Sequence, residues 1–346
     1  MHRLSGVRGT PPDPSDRLGR PLRDLRLSVT DRCNFRCPYC MPRASFGPDH
    51  AFASRADLLT FEELARLVTV FAGLGVTKVR LTGGEPLLRR DLEVLIGMIA
   101  GIPGIDDLAL TTNGSLLAER ATALRAAGLD RVTVSLDSLD PGIFAEMTDS
   151  KVPLDQVLAG IVAAQGAGFA PVKVNTVVRR GLNDEGIVDL VRFAREQRLE
   201  VRFIEYMDVG SSNGWLRDQV VSAAEIIERI DAVFPVEPSE PTDLDGVARR
   251  WRFRDGTAEV GVIASVTQPF CSDCVRARVT ATGEMFTCLF ATQGRDLRAA
   301  MRSGASDADL AALVGGIWHR RDDRYSEVRS AASPTEPRVE MSYLGG

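Results

Sequence analysis

From residue 25 onward, short apolar stretches of period two alternate with longer segments whose apolar residues return every three or four positions. The period-two stretches fall at 25–30, 76–81, 107–111, 131–136, 171–177 and 200–205, and predict strands. The helical periods fall at 60–71, 91–100, 116–127, 154–167 and 183–196. Thr60 with Glu63 three residues later reads as a capping box, and Gly73 and Gly75 punctuate the end of that helix. Between the first strand and this helix lies an irregular polar segment through 45–57. Six strands, each but the last followed by a helix, predict parallel pairing through right-handed crossovers. Their short, mostly apolar composition suits a buried parallel sheet. The expected class is α/β, and six units rather than eight predict an incomplete (βα)6 TIM-like barrel. A doubly wound sheet is the alternative, against which stands the lack of a GxGxxG after the first strand. In either fold the reactive groups are expected at the C-terminal ends of the strands.

The rhythm changes after Gly210. A helix is expected at 223–230, followed by breaks at Pro235, Pro238 and Pro241. Residues 247–254 and 259–266 read as an antiparallel pair about the turn Asp255–Gly256. Strand-like 276–280 and 284–287 and helical 297–301 and 307–317 complete the chain. Residues 1–20, polar and rich in Pro and Gly, are expected to be flexible. Residues 21–219 form the expected barrel, and 220–346 a smaller α+β domain packed on it.

Composition narrows the function. The chain has 346 residues, 44% hydrophobic and 26% charged, enough for a large core. Its net charge of −5 and the lack of a continuous basic stripe argue against nucleic acid. No apolar run approaches the roughly 20 residues of a membrane span. The polar start lacks the core of a signal peptide, which points to the cytoplasm. Only Lys78, Lys151 and Lys173 are lysines; the other positive residues are arginines.

The six cysteines fall in two trios, Cys33, Cys37 and Cys40, and Cys271, Cys274 and Cys288. Three disulfides are disfavoured in the expected compartment. The spacing Cys33-x3-Cys37-x2-Cys40 lets three thiolates converge from one short loop, a soft donor set suited to zinc, copper(I) or an iron–sulfur cluster. A structural zinc normally takes four ligands, and His2, His50 and His319 lack the close spacing of a finger. A cubane on three cysteines leaves one iron open. Buried thiols are the remaining reading of the first trio. For the second trio, structural zinc completed by Asp273 or water stays open as well.

CNFRCPYC, placed directly after the first strand, resembles the signature of the radical S-adenosylmethionine (SAM) enzymes. The resemblance implies a [4Fe–4S] cluster on Cys33, Cys37 and Cys40, with SAM on its open iron. It also implies SAM contacts from Tyr39, from Gly84 and Glu85 in GGEP, and from Asn113, Ser135 and Met207. By itself a Gly-Gly before Pro is more often a simple turn. GRPLRDLRLSVTDRCNFRCPYCMP, KVRLTGGEPLLRRDL, TTNG, VSLDS, VKVNTVV, RFIEYMDVG, the late cysteine trio and the final Gly-Gly resemble the GTP 3',8-cyclase family of molybdenum cofactor biosynthesis, over roughly residues 18–346.

That resemblance implies a second [4Fe–4S] cluster on Cys271, Cys274 and Cys288, whose open iron holds the guanine. It implies GTP contacts from Arg26, Lys78, Arg80, Thr111, Lys173, Arg276 and Arg278, with Arg26 and Lys173 also taking part in catalysis beside the first trio. Arg202 matches a family position too, though RFIEYM suits plain strand packing equally. Lys78 and Arg80, at i and i+2, share one face of a strand; without the family they would more simply snorkel or face helices. The implied reaction makes a 5'-deoxyadenosyl radical, abstracts the ribose 3' hydrogen and joins C3' to C8, which is lyase chemistry. Implied partners are a low-potential flavodoxin or ferredoxin-type electron donor and the next enzyme, cyclic pyranopterin monophosphate synthase; the protein itself would be a monomer or homodimer. Val275 departs from the Asn common there in the family, His319 receives no role, and Gly345–Gly346 is expected to reach toward the active site. Two rivals remain: a radical enzyme that modifies a peptide, and a zinc-stabilised nucleotide- or nucleic-acid-binding module.

Overall fold

The computed structural model describes residues 14–239, 247–329 and 338–345. Six βα units open the fold: β1 (Asp24–Ser28), α1 (Phe61–Ala72), β2 (Lys78–Thr82), α2 (Leu92–Ala100), β3 (Asp107–Thr112), α3 (Leu117–Ala126) and β4 (Arg131–Ser135). They continue with α4 (Pro141–Thr148), α5 (Leu154–Gly166), β5 (Lys173–Val178), α6 (Ile187–Glu196) and β6 (Glu200–Glu205). The short helix α4, capped by Asp140 and opened by Pro141, carries no extended periodicity and went unpredicted. The expected capping box on α1 is present, with the Glu63 amide donating to Thr60 Oγ1 and the Thr60 amide to the Glu63 carboxylate.

Later elements are α7 (Ala223–Asp231), β7 (Val236–Pro238), β8 (Arg249–Phe253), β9 (Glu259–Ile263), β10 (Arg276–Val279), β11 (Glu284–Phe286) and β12 (Arg295–Asp296). The helices α8 (Leu297–Arg302), α9 (Asp307–His319), α10 (Tyr325–Val328) and α11 (Met341–Leu344) follow. The antiparallel pairing of β8 with β9 and of β10 with β11 agrees with the sequence pattern.

Among the described residues, twelve strands join one mixed sheet in the order β12-β11-β10-β1-β2-β3-β4-β5-β6-β9-β8-β7. β1 to β6 lie in sequence order without reversal, which rules out the doubly wound alternative. The late segment does not form a sheet of its own. β10 runs parallel to β1 and β9 parallel to β6, so it extends both edges of the early sheet. The unpaired backbone groups of two long edge strands explain why both edges are taken up. Leu25, Leu27, Val79, Leu81, Leu108, Leu110, Val132 and Val134 are buried against helix residues such as Leu67, Phe71, Leu95 and Leu124 in one continuous core.

The first residues are not loose where they are described. Residues 1–13 lie outside the described chain, but Asp16 and Arg20 are buried. Asp16 accepts from the amides of Leu18 and Arg20, from Arg20 Nε at 2.6 Å and from an Arg321 amino group at 3.1 Å. Polar composition predicted mobility there; a buried two-arginine site for one carboxylate fastens the segment instead. Among the described residues no helix is long and apolar enough to cross a membrane.

Candidate active site

In each parallel strand, alternate residues face one cavity of about 340 Å³. β1 contributes Asp24 and Arg26, β2 Lys78, Arg80 and Thr82, β4 Arg131, Thr133 and Ser135, and β6 Arg202 and Ile204. All six cysteines also line it, as do Met207 and Met341. The six are free thiols on residues that are each partly exposed.

The first trio sits in the loop after β1, held from three neighbouring strand ends. Tyr39 OH donates to Asp137 at 2.7 Å, beyond β4. Asn113, beyond β3, donates to Asn34 Oδ1 at 2.8 Å and its amide nitrogen lies 3.9 Å from Cys33 Sγ. Gly84, beyond β2, abuts the loop so closely that a Cβ there would lie 2.3 Å from the Arg32 carbonyl oxygen. Its N–H donates to the Thr30 carbonyl, and that of Glu85 to the Arg32 carbonyl. Glycine is therefore required here by the cysteine loop itself. Glu85 is buried and absent from the cavity wall; its carboxylate accepts from the Leu87 and Asn113 amides and from Thr112 Oγ1. Through these bonds it fixes the β3 loop. Burial pushes the Glu85 carboxyl up to about 7 against those three hydrogen bonds.

Burial raises the Cys33 thiol to about 11, and raises Cys37 and Cys40 well above the usual range, with neighbouring cysteines of the trio adding to it. Three thiols on one short loop lack an adequate countercharge, the situation a cationic cluster relieves. Among the described residues no three His, Cys, Asp or Glu side chains converge as ligands of a single ion. Cubane thiolates sit on separate irons and stand wider apart.

The second trio is held by its backbone. Cys271 opens a 3-10 turn (Cys271–Asp273) that Cys274 caps, and Cys288 follows β11. Arg20 donates to the Cys271 carbonyl at 2.6 Å, and Arg321 to the carbonyls of Cys274 and Thr287 at 2.7 and 3.1 Å. The same two arginines are those gathered by Asp16, so the amino-terminal segment supports this trio. Burial pushes the Cys274 thiol up, but Arg276 and Arg321 outweigh it and bring it to about 6. An Arg276 amino group lies 3.7 Å from Cys274 Sγ. Burial, with Asp323, raises Cys288 to about 11.

Between the trios the sheet register sets the arginines in one row, Arg278–Arg26–Arg80–Ala109–Arg131, across β10, β1, β2, β3 and β4. In-register neighbours on parallel strands share a face, so four guanidiniums meet the same cavity. Burial, reinforced by Arg278, Arg276 and Arg80, holds Arg26 well below the usual arginine range. Burial and Arg276 bring Arg278 down to about 10. Arg26 Nε, Arg80 Nε, Thr82 Oγ1 and Asn175 Oδ1 are buried with no hydrogen-bond partner among the described residues. The two unsatisfied arginine N–H donors, beside concentrated positive charge, fit a polyanionic ligand.

Thr111, Ser135, Asn113, Tyr39, Gly84 and Met207 all line the cavity. Lys173 does not. It is buried at the foot of β5, with Glu200 carboxylate oxygens at 3.0 and 3.2 Å. Burial, with Arg202 beside it, lowers its ammonium to about 8. Its inward parity was legible, but the Glu200 partner one strand away was not. Val275 is buried and its carbonyl accepts from the Arg23 and Asp24 amides, so an apolar side chain suits the place. His319 Nδ1 lies 3.2 Å from the Ser15 carbonyl, on the surface. The tail reaches the cavity: the Gly345 carbonyl accepts from Arg278 at 2.7 Å, and a Cβ there would sit 2.2 Å from Thr82 Oγ1. Gly346 lies outside the described residues. Sequence reasoning gave no role to Asp16, Arg131 and Arg321, nor individually to Arg20 and Asp137 within their quoted stretches, because their key partners, such as Asp107 for Arg131 and the Cys271 and Cys274 carbonyls for Arg20 and Arg321, lie far off in the chain.

Residues 27–194 match the Radical SAM superfamily and residues 199–327 match Molybdenum Cofactor Synthesis C. Over 96% of this chain, it is 55% identical to a GTP 3',8-cyclase of Acidothermus cellulolyticus, covering 98% of that protein. It is 52% identical to one of Xanthomonas campestris pv. campestris and 46% to one of Staphylococcus aureus, again over 96% of the chain and 97% and 98% of theirs. A solved structure of tagged anSMEcpe with bound AdoMet matches with TM-score 0.50 at 16% identity, over 62% of this chain and 58% of that one. This last likeness bears on the fold alone. With relatives this similar along nearly its whole length, the chain belongs to the GTP 3',8-cyclase family of the radical SAM superfamily.

Proposed function

We infer that the protein converts GTP to (8S)-3',8-cyclo-7,8-dihydroguanosine 5'-triphosphate, the first step of molybdenum cofactor biosynthesis. The observation that carries this reading is the arginine row lying between two cysteine trios on one cavity. Cys33, Cys37 and Cys40 hold one [4Fe–4S] cluster, and Cys271, Cys274 and Cys288 the other. When bound, the first cluster and SAM supply reductive cleavage of the sulfonium and hence a hydrogen-abstracting radical.

The chain's own residues position and exclude. Arg26, Arg80, Arg276 and Arg278 neutralise the triphosphate with directed N–H groups, and Lys78 adds a point charge. Thr111, Asn113, Ser135, Gly84, Tyr39 and Met207 line the space for SAM and ribose. Lys173 acts through its charge at the foot of the site rather than by lining it. The tail, through the Gly345 carbonyl on Arg278, helps close the cavity to water. Strand order and a single cavity touching β1 to β6 support a sheet curled as an incomplete barrel, residues 21–219, with 220–346 as the part that carries the second cluster. The protein works in the cytoplasm, as a monomer or homodimer. A flavodoxin or ferredoxin-type donor supplies its electrons, and cyclic pyranopterin monophosphate synthase takes its product.

The test is anaerobic reconstitution followed by an iron and sulfide count, with about eight irons expected per chain. Reductant, SAM and GTP should then give 5'-deoxyadenosine and the cyclised nucleotide. Cys288→Ser should abolish cyclisation. Full activity in that variant, or 5'-deoxyadenosine formation driven by a peptide and indifferent to GTP, would overturn the assignment.

A further inference from the structure

We propose that Arg131, set in place by Asp107, is a further substrate-binding residue that recognises the terminal phosphate of the nucleotide. The inference rests on the function proposed above and assigns a residue that no motif marks. Arg131 is the last arginine of the register row and lines the cavity. Ala109, the one non-arginine in the row, is small and buried, which leaves the space above it to the flanking guanidiniums of Arg80 and Arg131.

Asp107 holds Arg131 side-on. Arg131 Nε donates to one carboxylate oxygen at 2.7 Å and an amino group donates to the other. Lys78 Nζ lies 3.7 Å from the same carboxylate. Two cations thus share Asp107, and with Asp24 counted the wall still carries Arg26, Lys78, Arg80 and Arg131 against two carboxylates, a net positive charge facing the cavity. Glu200 repeats the device with Lys173 and Arg202. A simple structural ion pair needs one cation per carboxylate; the surplus here calls for an anion from outside.

The row also has a direction. Arg278 is two residues from Arg276, which touches the second trio, and Arg131 is four strand steps away. At about 4.8 Å per step this is roughly 19 Å of sheet. A nucleotide whose base sits at the second trio and whose ribose faces the first extends its phosphates along the row. The phosphate farthest from the base then falls to Arg131, with Arg26 and Arg80 serving those before it.

The experiment compares GTP with GDP in reconstituted wild-type, Arg131→Ala, Arg131→Lys and Asp107→Asn proteins, reading KM and kcat for 5'-deoxyadenosine formation. Iron content and melting temperature check that each variant is folded and loaded. In wild type GTP is preferred. In Arg131→Ala the KM for GTP rises by about 10- to 100-fold, the size of a lost hydrogen-bonded charge contact, while the KM for GDP stays within about threefold. Arg131→Lys recovers part of the preference, and Asp107→Asn loses part of it. A purely structural role would raise both KM values together or lower stability alone, and an unchanged GTP to GDP ratio in loaded Arg131→Ala overturns the proposal. If Arg131→Ala fails to load, an unchanged ratio in Arg131→Lys and Asp107→Asn overturns it equally. Wild-type protein that forms no 5'-deoxyadenosine with GTP overturns the function itself, a failure visible before any variant is made.

Discussion

Asp16→Ala removes a carboxylate that accepts four hydrogen bonds, two from backbone amides and two from the guanidiniums of Arg20 and Arg321. Those arginine side chains are 3% and 2% exposed, so neither regains water when its partner is lost. Breaking a buried ion pair from one side costs about 3–5 kcal/mol, because a charge is left uncompensated. Folded domains have only about 5–15 kcal/mol in all. At roughly 2–4 °C per kcal/mol the melting temperature should fall by on the order of 10 °C. The effect should also be local. Arg20 and Arg321 hold the carbonyls of Cys271, Cys274 and Thr287, whereas Glu85, Asn113 and Asp137 anchor the first trio elsewhere. Reconstituted Asp16→Ala should therefore keep about four irons of eight, those of the first trio. The assay is thermal unfolding with an iron and sulfide count. Arg17→Ala is the control, since its pair with Asp322 is exposed and worth less than about 1 kcal/mol. An Asp16→Ala protein with wild-type melting and a full iron count would refute the reasoning.

Two further outcomes follow from the first trio's surroundings. Gly84→Ala places a Cβ 2.3 Å from the Arg32 carbonyl oxygen and 2.9 Å from the Cys33 nitrogen, so the cysteine loop must shift and the first cluster should be lost. Gly315→Ala, in the interior of α9 with only Leu74 at 4.0 Å, should be neutral or stabilise by about 0.4–1 kcal/mol; iron counts on both proteins check the pair. Glu85 has its carboxyl raised by burial to about 7 in the folded protein, against an ordinary value near 4.3. Between those values the folded state binds more protons than the unfolded one, so stability falls as pH rises through the window, by about 3 kcal/mol. Denaturant titrations from pH 4.5 to 7 should show this slope in wild type and not in Glu85→Gln.

Local chemistry alone marked much of the molecule. Period-two and helical stretches placed all six early strands to within a few residues, because alternate strand residues face the apolar helix layer and the polar cavity. The Thr60–Glu63 box and both cysteine spacings are short-range patterns that any fold must respect. Lys78 and Arg80 on one strand face followed from the pleat. What the chain did not disclose are pairings between residues far apart in sequence. Nothing in 14–20 indicates that Asp16 would gather Arg20 and Arg321, 305 residues from the latter, under the second trio. Nor does a lone Arg131 indicate a place in line with Arg26, Arg80 and Arg278, which only the register of five neighbouring strands confers. Lys173 has the right parity but is covered by Glu200 from the next strand. The sequence by itself determined the strands, the two soft donor sets and the positive charge, since these depend on composition and short spacing. The tertiary structure alone decided which charges share a cavity, because Coulomb energy and hydrogen bonding depend on distance in space and not along the chain.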